Sequence, residues 1–443
     1  MVRRKVKIAG IIISLITLYS GLAQPAWATE EGGISLAQAI RMALANPYNL
    51  GSYGAAVAEA EAKVDQATAA RWPSFSLSTN YTRMRPTGEL GTENKGGTGT
   101  YSTGVNLQLP LYMGEKLASG VELAEIDLKG EELNYQAKSK DLVYSVVQTY
   151  VNVLKADGML ALRQDQIKLL TEYQRLIEAN LNLGYATQSD LMETKLRLTQ
   201  AELDAVKAEH GKKKVQDKLC SLMGIPPQDL VLTSKPAFAV EHELPALESF
   251  LHRTQEGRPE LKSLEIAVRS AEENLELSKG YWKPNLIMIG AYEAQNPDHP
   301  TLKDGVWRFT LNLDWKFFDA GAGKAGVKQA EATLEKLRFQ LAQTKEEIQL
   351  EVRQKYLAVT EAAQVLALTK LGRSQAEANF QMQKTMFQLG VVTNMELLSA
   401  QNALNSALND DLNAEYDYYL AVSALYHAIG ETDQFLLEVG DNL

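Results

Sequence analysis

The sequence predicts a mainly α-helical chain with a small β part, built from one unit written twice. Three observations carry this. Two runs, about Gly114 to Leu183 and about Gly323 to Leu389, contain no proline and are rich in Ala, Leu, Gln, Glu and Lys. Four short segments alternate apolar and polar residues with a period of two, which marks strands. The two halves also align at a constant offset of 206 residues.

The first 28 residues read as an address and not as part of the fold. Arg3, Arg4, Lys5 and Lys7 precede a short apolar run from Ile8 to Leu22, and Ala26-Trp27-Ala28 offers small residues at a cleavage site. All four cations leave with that segment, so the remainder is more acidic than the whole chain, whose net charge is −10. Such a balance lacks the clustered Lys and Arg that phosphate contacts need, so no nucleic acid partner is expected. A single cysteine, Cys220, excludes an internal disulfide and any multi-cysteine zinc site. With 45% hydrophobic and 23% charged residues, the composition argues against a polytopic helical membrane protein.

Helices near Leu36 to Arg71 and Glu260 to Tyr281 open the two halves. Each leads into a strand pair. In the first pair, Phe75, Leu77, Thr79 and Tyr81 share one face, as do Tyr101, Val105, Leu107, Leu109 and Leu111. In the second, Leu286 to Glu293 is apolar on both faces. Trp307 to Phe317 alternates strongly, with Trp307, Phe309, Leu311, Leu313, Trp315 and Phe317 on one side. About eleven residues can cross a hydrocarbon layer when tilted. The aromatics Tyr81, Tyr101, Trp307 and Trp315 suit membrane interfaces. Four strands cannot close a barrel, and an open edge cannot face lipid. A membrane role therefore requires several chains, each donating its strands.

Each long run comes next, about 70 residues or on the order of 100 Å as helix. Apolar spacing such as Tyr144, Val147, Val151 and Leu154 is that of a coiled-coil seam, so these helices pack side by side. Gly184 and Gly390 follow the runs, where a helix must stop and reverse. Thr187 and Thr393 are placed to cap the returning helices. The halves then read as a first repeat at 29–224, with a hairpin at about 74–111 and a helical hairpin at about 114–223. A joining segment at 225–249 leads to a second repeat at 250–430, with a hairpin at about 285–317 and a helical hairpin at about 323–430. A tail at 431–443 closes the chain.

The duplicated layout resembles the TolC-like outer membrane efflux proteins. The resemblance spans essentially the whole chain after residue 28. It rests on Arg71-Trp72-Pro73 and Trp282-Lys283-Pro284 entering the hairpins, on Pro110-Leu111-Tyr112-Met113-Gly114 and Phe317-Phe318-Asp319-Ala320-Gly321 leaving them, on the two Leu-Gly-x-x-Thr turns, and on Asn46-Pro47 and Arg258-Pro259. It implies a homotrimer in a Gram-negative outer membrane. Its strands would form one twelve-stranded β-barrel, and its helices a hollow α-helical barrel through the periplasm. It would be a passive exit duct for small molecules or secreted protein, served by a periplasmic adaptor and an inner-membrane pump, with no cofactor and no enzymatic activity.

By the same resemblance, Leu183, Gly184, Thr187, Leu389, Gly390 and Thr393 would form the closing periplasmic tips and dock the adaptor. Asp190, Glu193 and Glu396 would ring the narrowest part of the duct. A plainer role for these acids is to sit favourably in the first turn of a helix. Two departures stand out: Ser399 replaces a second acid, and Val392 replaces an arginine that latches neighbouring helices in some members.

Two other readings compete. Gly321-Ala322-Gly323-Lys324-Ala325-Gly326 matches a dinucleotide fingerprint, but the helix after it is far too long for a βαβ unit and the strand before it alternates. An exported, acidic, helix-rich chain also fits a periplasmic tether or adaptor without a pore, although such a protein needs no strand pairs with aromatic ends.

Overall fold

The computed structural model describes residues 33–84, 98–233 and 244–432. The address at 1–28 lies outside them, as do Gly88, Gly91, Gly96 and Gly97 of the first hairpin and nearly all of the tail.

The chain begins with α1 (Leu36–Ala45) and α2 (Pro47–Ala69), then β1 (Ser74–Met84) and β2 (Thr98–Tyr112). The long α3 (Lys116–Asn182) and the returning α4 (Gln188–Met223) complete the first half. The second half repeats this as α5 (Leu247–Gly257), α6 (Pro259–Lys279), β3 (Asn285–Asn296), β4 (Val306–Asp314), α7 (Ala322–Gln388) and α8 (Asn394–Ile429). Both ends of α3 and α4 recur in α7 and α8 206 residues later.

Three details differ from the sequence expectation. The opening helix is broken at Asn46-Pro47, because Pro47 lacks an N–H and pushes the residue before it out of the helical region. Asn46 then serves two helix ends: its Oδ1 accepts from the Tyr48 N–H, and its Nδ2 donates to the Leu222 carbonyl at the end of α4. In the second half α5 begins at Leu247, inside the segment read as irregular. Finally, β4 ends at Asp314, so Trp315 and Phe317 lie beyond the strand. There the backbone turns toward α7, with Ala320 and Gly321 at positive φ and the Asp319 carboxylate accepting from the N–H groups of Gly321 and Gly323.

The long helices pack as a single layer. Beside the sheet the helices lie in the order α2, α3, α6, α7, and toward the other end in the order α4, α3, α8, α7. Between these levels, α1, α5 and the ends of α4 and α8 surround the middles of α3 and α7. Tyr150, Leu36, Ile40, Leu219, Phe250, Tyr416, Leu425 and Ile429 make the core there. The helix α3 is therefore flanked on both sides along its length, whereas α7 is an edge at both levels. Along α7 the exposed Phe339, Leu350, Leu357, Leu368, Leu371 and Met382 fall on one face, and Met192, Leu196, Leu203 and Val206 do so on the opposite edge, α4.

Glycine ends all four hairpin helices in the left-handed region, but in two settings. Gly184 and Gly390 have open space where a Cβ would stand. At Gly430 (φ +80°) a Cβ would lie 2.5 Å from the Gly257 carbonyl oxygen. Gly390→Ala should thus cost about 1–2 kcal/mol for the left-handed backbone alone. Gly430→Ala adds a backbone clash and should lower the thermal midpoint clearly further. Equal midpoints for the two variants would contradict this.

Candidate functional site

Two regions carry the candidate function, the sheet at one end and the paired turns at the other. The strands form one antiparallel sheet in the order β1-β2-β3-β4, so the two hairpins join through β2 and β3. Register decides what the sheet can do. Phe75 pairs with Leu107, Leu77 with Val105 and Tyr81 with Tyr101. Val105 meets Tyr292 and Leu109 meets Met288, while Tyr292 meets Trp307, Gly290 meets Phe309 and Met288 meets Leu311. Paired residues share a face. The apolar alternations of Phe75 to Tyr81, Tyr101 to Leu109 and Trp307 to Leu313 therefore fall on the same side, where Trp307, Phe309, Leu311 and Leu313 are all more than 60% exposed; a register shift between Pro110 and Tyr112 takes Leu111, expected on that side, out of the ladder. The other side is mainly polar, although β3 puts Ile287, Ile289 and Ala291 on it: Asn106 Nδ2 lies 3.4 Å from Ser78 Oγ, and Ser102 donates to Glu293.

Aromatics mark both ends of the apolar face. Tyr81 and Tyr101 pack at 4.8 Å beside the loops, and Trp307 packs on Phe309 at 5.3 Å. At the helix end, Trp315 donates from Nε1 to the Trp282 carbonyl at 2.9 Å. The interval from Trp307 to Trp315 is about 26 Å along the chain at strand rise, which at a barrel strand's tilt of about 40° gives about 20 Å of height.

The two turns at the far end are built alike. After α3, the Tyr185 N–H donates to the Asn180 carbonyl and the Gly184 N–H to Leu181. After α7, Val391 donates to Met386 and Gly390 to Phe387. These are paired Schellman closures around a left-handed glycine. Each returning helix starts with a reciprocal capping box. The Asp190 N–H donates to Thr187 Oγ1 at 3.2 Å while the Thr187 N–H donates to Asp190 Oδ2 at 2.9 Å. The Glu396 N–H donates to Thr393 Oγ1 at 3.3 Å, and the Thr393 N–H to Glu396 Oε2 at 2.7 Å. Leu183, Tyr185, Leu389 and Val391 project around these caps, all at least 69% exposed.

The three carboxylates are held differently. Asp190 also accepts from Asn394 Nδ2 at 3.2 Å, and Asn394 Oδ1 accepts from the Tyr173 hydroxyl at 2.7 Å. Asp190 thus ties the first turn to the second. Glu193 faces Arg197 at 2.9 Å, and Glu396 bonds only within its own cap among the described residues. Tyr173 and Asn394 escaped the sequence reading. Asn394 stands where the first turn has Gln188, so the repeat itself was silent about it.

Hydrogen bonding sets the electrostatics. The Thr187 hydroxyl and then its backbone N–H hold the Asp190 carboxyl below its ordinary value, with Asn394 adding to this. The Thr393 N–H and hydroxyl do the same for Glu396. Burial chiefly, and the Asp190 charge, raise the Tyr173 phenol. Carboxylates depressed on folding contribute stability that is complete above their unfolded values and is lost as pH falls through the folded ones. Thr187→Ala should therefore cost about 1 kcal/mol at neutral pH. Its gap in thermal midpoint from the native protein should narrow below about pH 4. A gap independent of pH would show that Asp190 does not carry the cap.

The glycine-rich fingerprint is a bend. Gly321 starts α7 at φ +91°, and Gly323 lies flat against the Tyr281 ring, where a Cβ would collide. Cys220 is buried, with its thiol 3.8 Å from the Gln228 carbonyl. No helix among the described residues is long and apolar enough to cross a membrane.

Comparison with known proteins agrees with this architecture. A family described as outer membrane efflux protein matches residues 39–224 and 250–431. The alkaline protease secretion protein AprF of Pseudomonas aeruginosa is 25% identical over 77% of this chain and 72% of its own length. The outer membrane protein TolC of Vibrio cholerae is 21% identical over 77% and 80%. Among solved structures, CusC superposes with a TM-score of 0.79 at 20% identity, covering 94% of this chain and 95% of its own. The open state of the MtrE outer membrane channel of Neisseria gonorrhoeae gives 0.78 at 18% identity, covering 90% and 89%. The duplicated helical hairpins, the single four-stranded sheet and the two family matches thus lead to one conclusion: this chain belongs to the outer membrane efflux protein family, as a non-enzymatic outer-membrane channel of Gram-negative type.

Proposed function

We propose that three copies of this chain close head to tail into a continuous duct, with twelve strands in the outer membrane and a cylinder of helices in the periplasm. The observation that carries this is the pair of unfinished edges. At every level one side of the layer ends in β1, α2 or α4 and the other in β4 or α7. Edge strands leave backbone groups unpaired, which lipid cannot satisfy. The apolar stripes on α7 and α4 likewise need cover. One copy's β4 and α7 edge against the next copy's β1, α2 and α4 edge supplies both. Two copies would give eight strands, whose interior side chains nearly fill. Three leave a water-filled path lined by the polar sheet face.

In this reading the turns around Leu183, Gly184, Thr187, Leu389, Gly390 and Thr393 are the periplasmic tips and meet an adaptor, through which an inner-membrane pump opens the duct. Threefold symmetry brings copies of Asp190, Glu193 and Glu396 toward the axis, where like charges favour cations and narrow the path. Relatives are named for protease secretion and for cation efflux. A duct with little chemistry of its own suits either cargo and leaves selection to the pump.

The test is electrical. Purified protein in a planar bilayer should form cation-preferring channels. Glu396→Ala should raise single-channel conductance or relieve block by divalent cations. Unchanged currents would remove Glu396 from the constriction. A soluble monomer released by osmotic shock would remove the duct altogether.

A further inference from the structure

The two repeats meet inside the chain, and that meeting is the template for a second contact that a single chain leaves open. Toward the turns, α3 of the first repeat packs on α8 of the second. Carried through the offset of 206 residues, the same contact sets α7 of one copy against α4 of the next. Exposure follows the offset. Val151 on α3 is 1% exposed, and its counterpart Leu357 on α7 is 65%. Leu398 on α8 is 2% exposed, and its counterpart Met192 on α4 is 59%. Both members of each pair lie in equivalent hairpins, and what the exposed member lacks is the adjoining repeat.

Hydrogen bonding at the turns shows the same gap. Asp190 and Glu396 are counterparts, and each spends one carboxylate oxygen on its own cap. Asp190 Oδ2 accepts from Thr187, and Glu396 Oε2 accepts from Thr393. The second oxygen of Asp190, Oδ1, accepts from Asn394 Nδ2 at 3.2 Å, across the junction of the repeats. Glu396 Oε1 has no donor among the described residues. The counterpart of Asn394 is Gln188, which carries the same carboxamide on a longer stem and is exposed.

We infer that, between assembled copies, Gln188 of the next copy donates from Nε2 to Glu396 Oε1, as Asn394 donates to Asp190 inside the chain. Gln188 and Glu396 each have one methylene more than Asn394 and Asp190, so the outer pair spans at least the distance that the inner pair spans. An apolar contact follows by the same rule. Leu398 packs with Leu170 and Ala201. Met192 of the next copy then packs with Ala376 and Ala407, where two alanines leave room for an unbranched, adaptable side chain. The inner relay does not carry over whole. Tyr173, which donates to Asn394, has Asn379 as its counterpart, and that amide is shorter than a phenol.

This inference rests on the ring of copies proposed above, and one experiment separates the two. The full chain with Gln188→Cys and Glu396→Cys, purified in detergent, is treated with a short bis-maleimide and run on a denaturing gel. Most of the protein should move to covalent dimer and trimer. The native chain, whose one thiol is buried, is the blank. Gln188→Cys with Ser406→Cys, about 15 Å further along α8, should stay monomeric on the gel. Glu396→Cys also removes a cap, so Met192→Cys with Ala376→Cys repeats the test with both caps intact and should crosslink likewise. If the native chain is a trimer by mass but neither pair crosslinks, or the Ser406 pair crosslinks as well as the first, the contact is overturned and the ring stands. A native monomer overturns the ring, and the contact with it.

Discussion

Leu350→Glu combined with Leu357→Glu should leave the purified protein monomeric in detergent, where the native chain sedimented or weighed in parallel should be the proposed trimer. Both side chains stand on the exposed stripe of α7, at 56% and 65% exposure in the single chain. Neither belongs to the core around Tyr150 and Phe250, so the helical hairpins should form as before and the far-ultraviolet circular dichroism should be unchanged. The stripe becomes buried only if a neighbouring copy covers it. Each glutamate would then take an unpaired carboxylate out of water, at a cost of several kcal/mol per charge. Two such charges in each of three interfaces exceed what assembly can absorb. A trimer that survives both substitutions would mean that α7 faces solvent and that the copies meet elsewhere.

Asn394→Ala should shift the duct toward its open form and raise mean conductance. Asn394 is 8% exposed and bonds to both Asp190 and Tyr173. Its removal deletes a bond to a charged group and a bond from a phenol, together about 2–4 kcal/mol. Within one chain this link alone joins the start of α8 to the start of α4 by polar contact among the described residues. Its loss frees the second tip to move against the first. Tyr173→Phe cuts one bond of the pair and should give an intermediate rise, about tenfold in the open-to-closed ratio for each 1.4 kcal/mol lost. Single-channel recording separates the outcomes. Native conductance in both variants would assign the Tyr173–Asn394–Asp190 chain to folding alone.

How much could be read in advance follows the range of the forces involved. The turns were legible because Leu-Gly-x-x-Thr contains its own instructions. A left-handed glycine and a capping threonine act over a few residues, and both turns obey them. The alternating face of Phe75 to Tyr81 was legible for the same reason. The end of β4 was not. Alternation continues through Phe317, but the backbone is already committed to the Asp319–Gly321 bend that starts α7, and that commitment outweighs the pattern. The break at Asn46-Pro47 follows from the proline alone, which cannot continue the ladder of α1. The contact of Asn394 with Asp190, 204 residues apart, was out of reach. It depends on two hairpins lying side by side, and periodicity does not say which residues then face each other.

The capping boxes have a consequence for how such a sequence can drift. Asp190 and Glu396 each complete a backbone cap while carrying a formal charge that, in the proposed duct, stands at the mouth of the path. Natural variation cannot remove the charge freely, because a side chain that no longer accepts from the threonine N–H also unravels the first turn of α4 or α8. Asparagine at 190 or glutamine at 396 keeps the acceptor and loses the charge; alanine loses both. A lineage that retunes ion preference at these tips is therefore channelled through amide substitutions first. Larger changes become accessible only after another residue has taken over the cap.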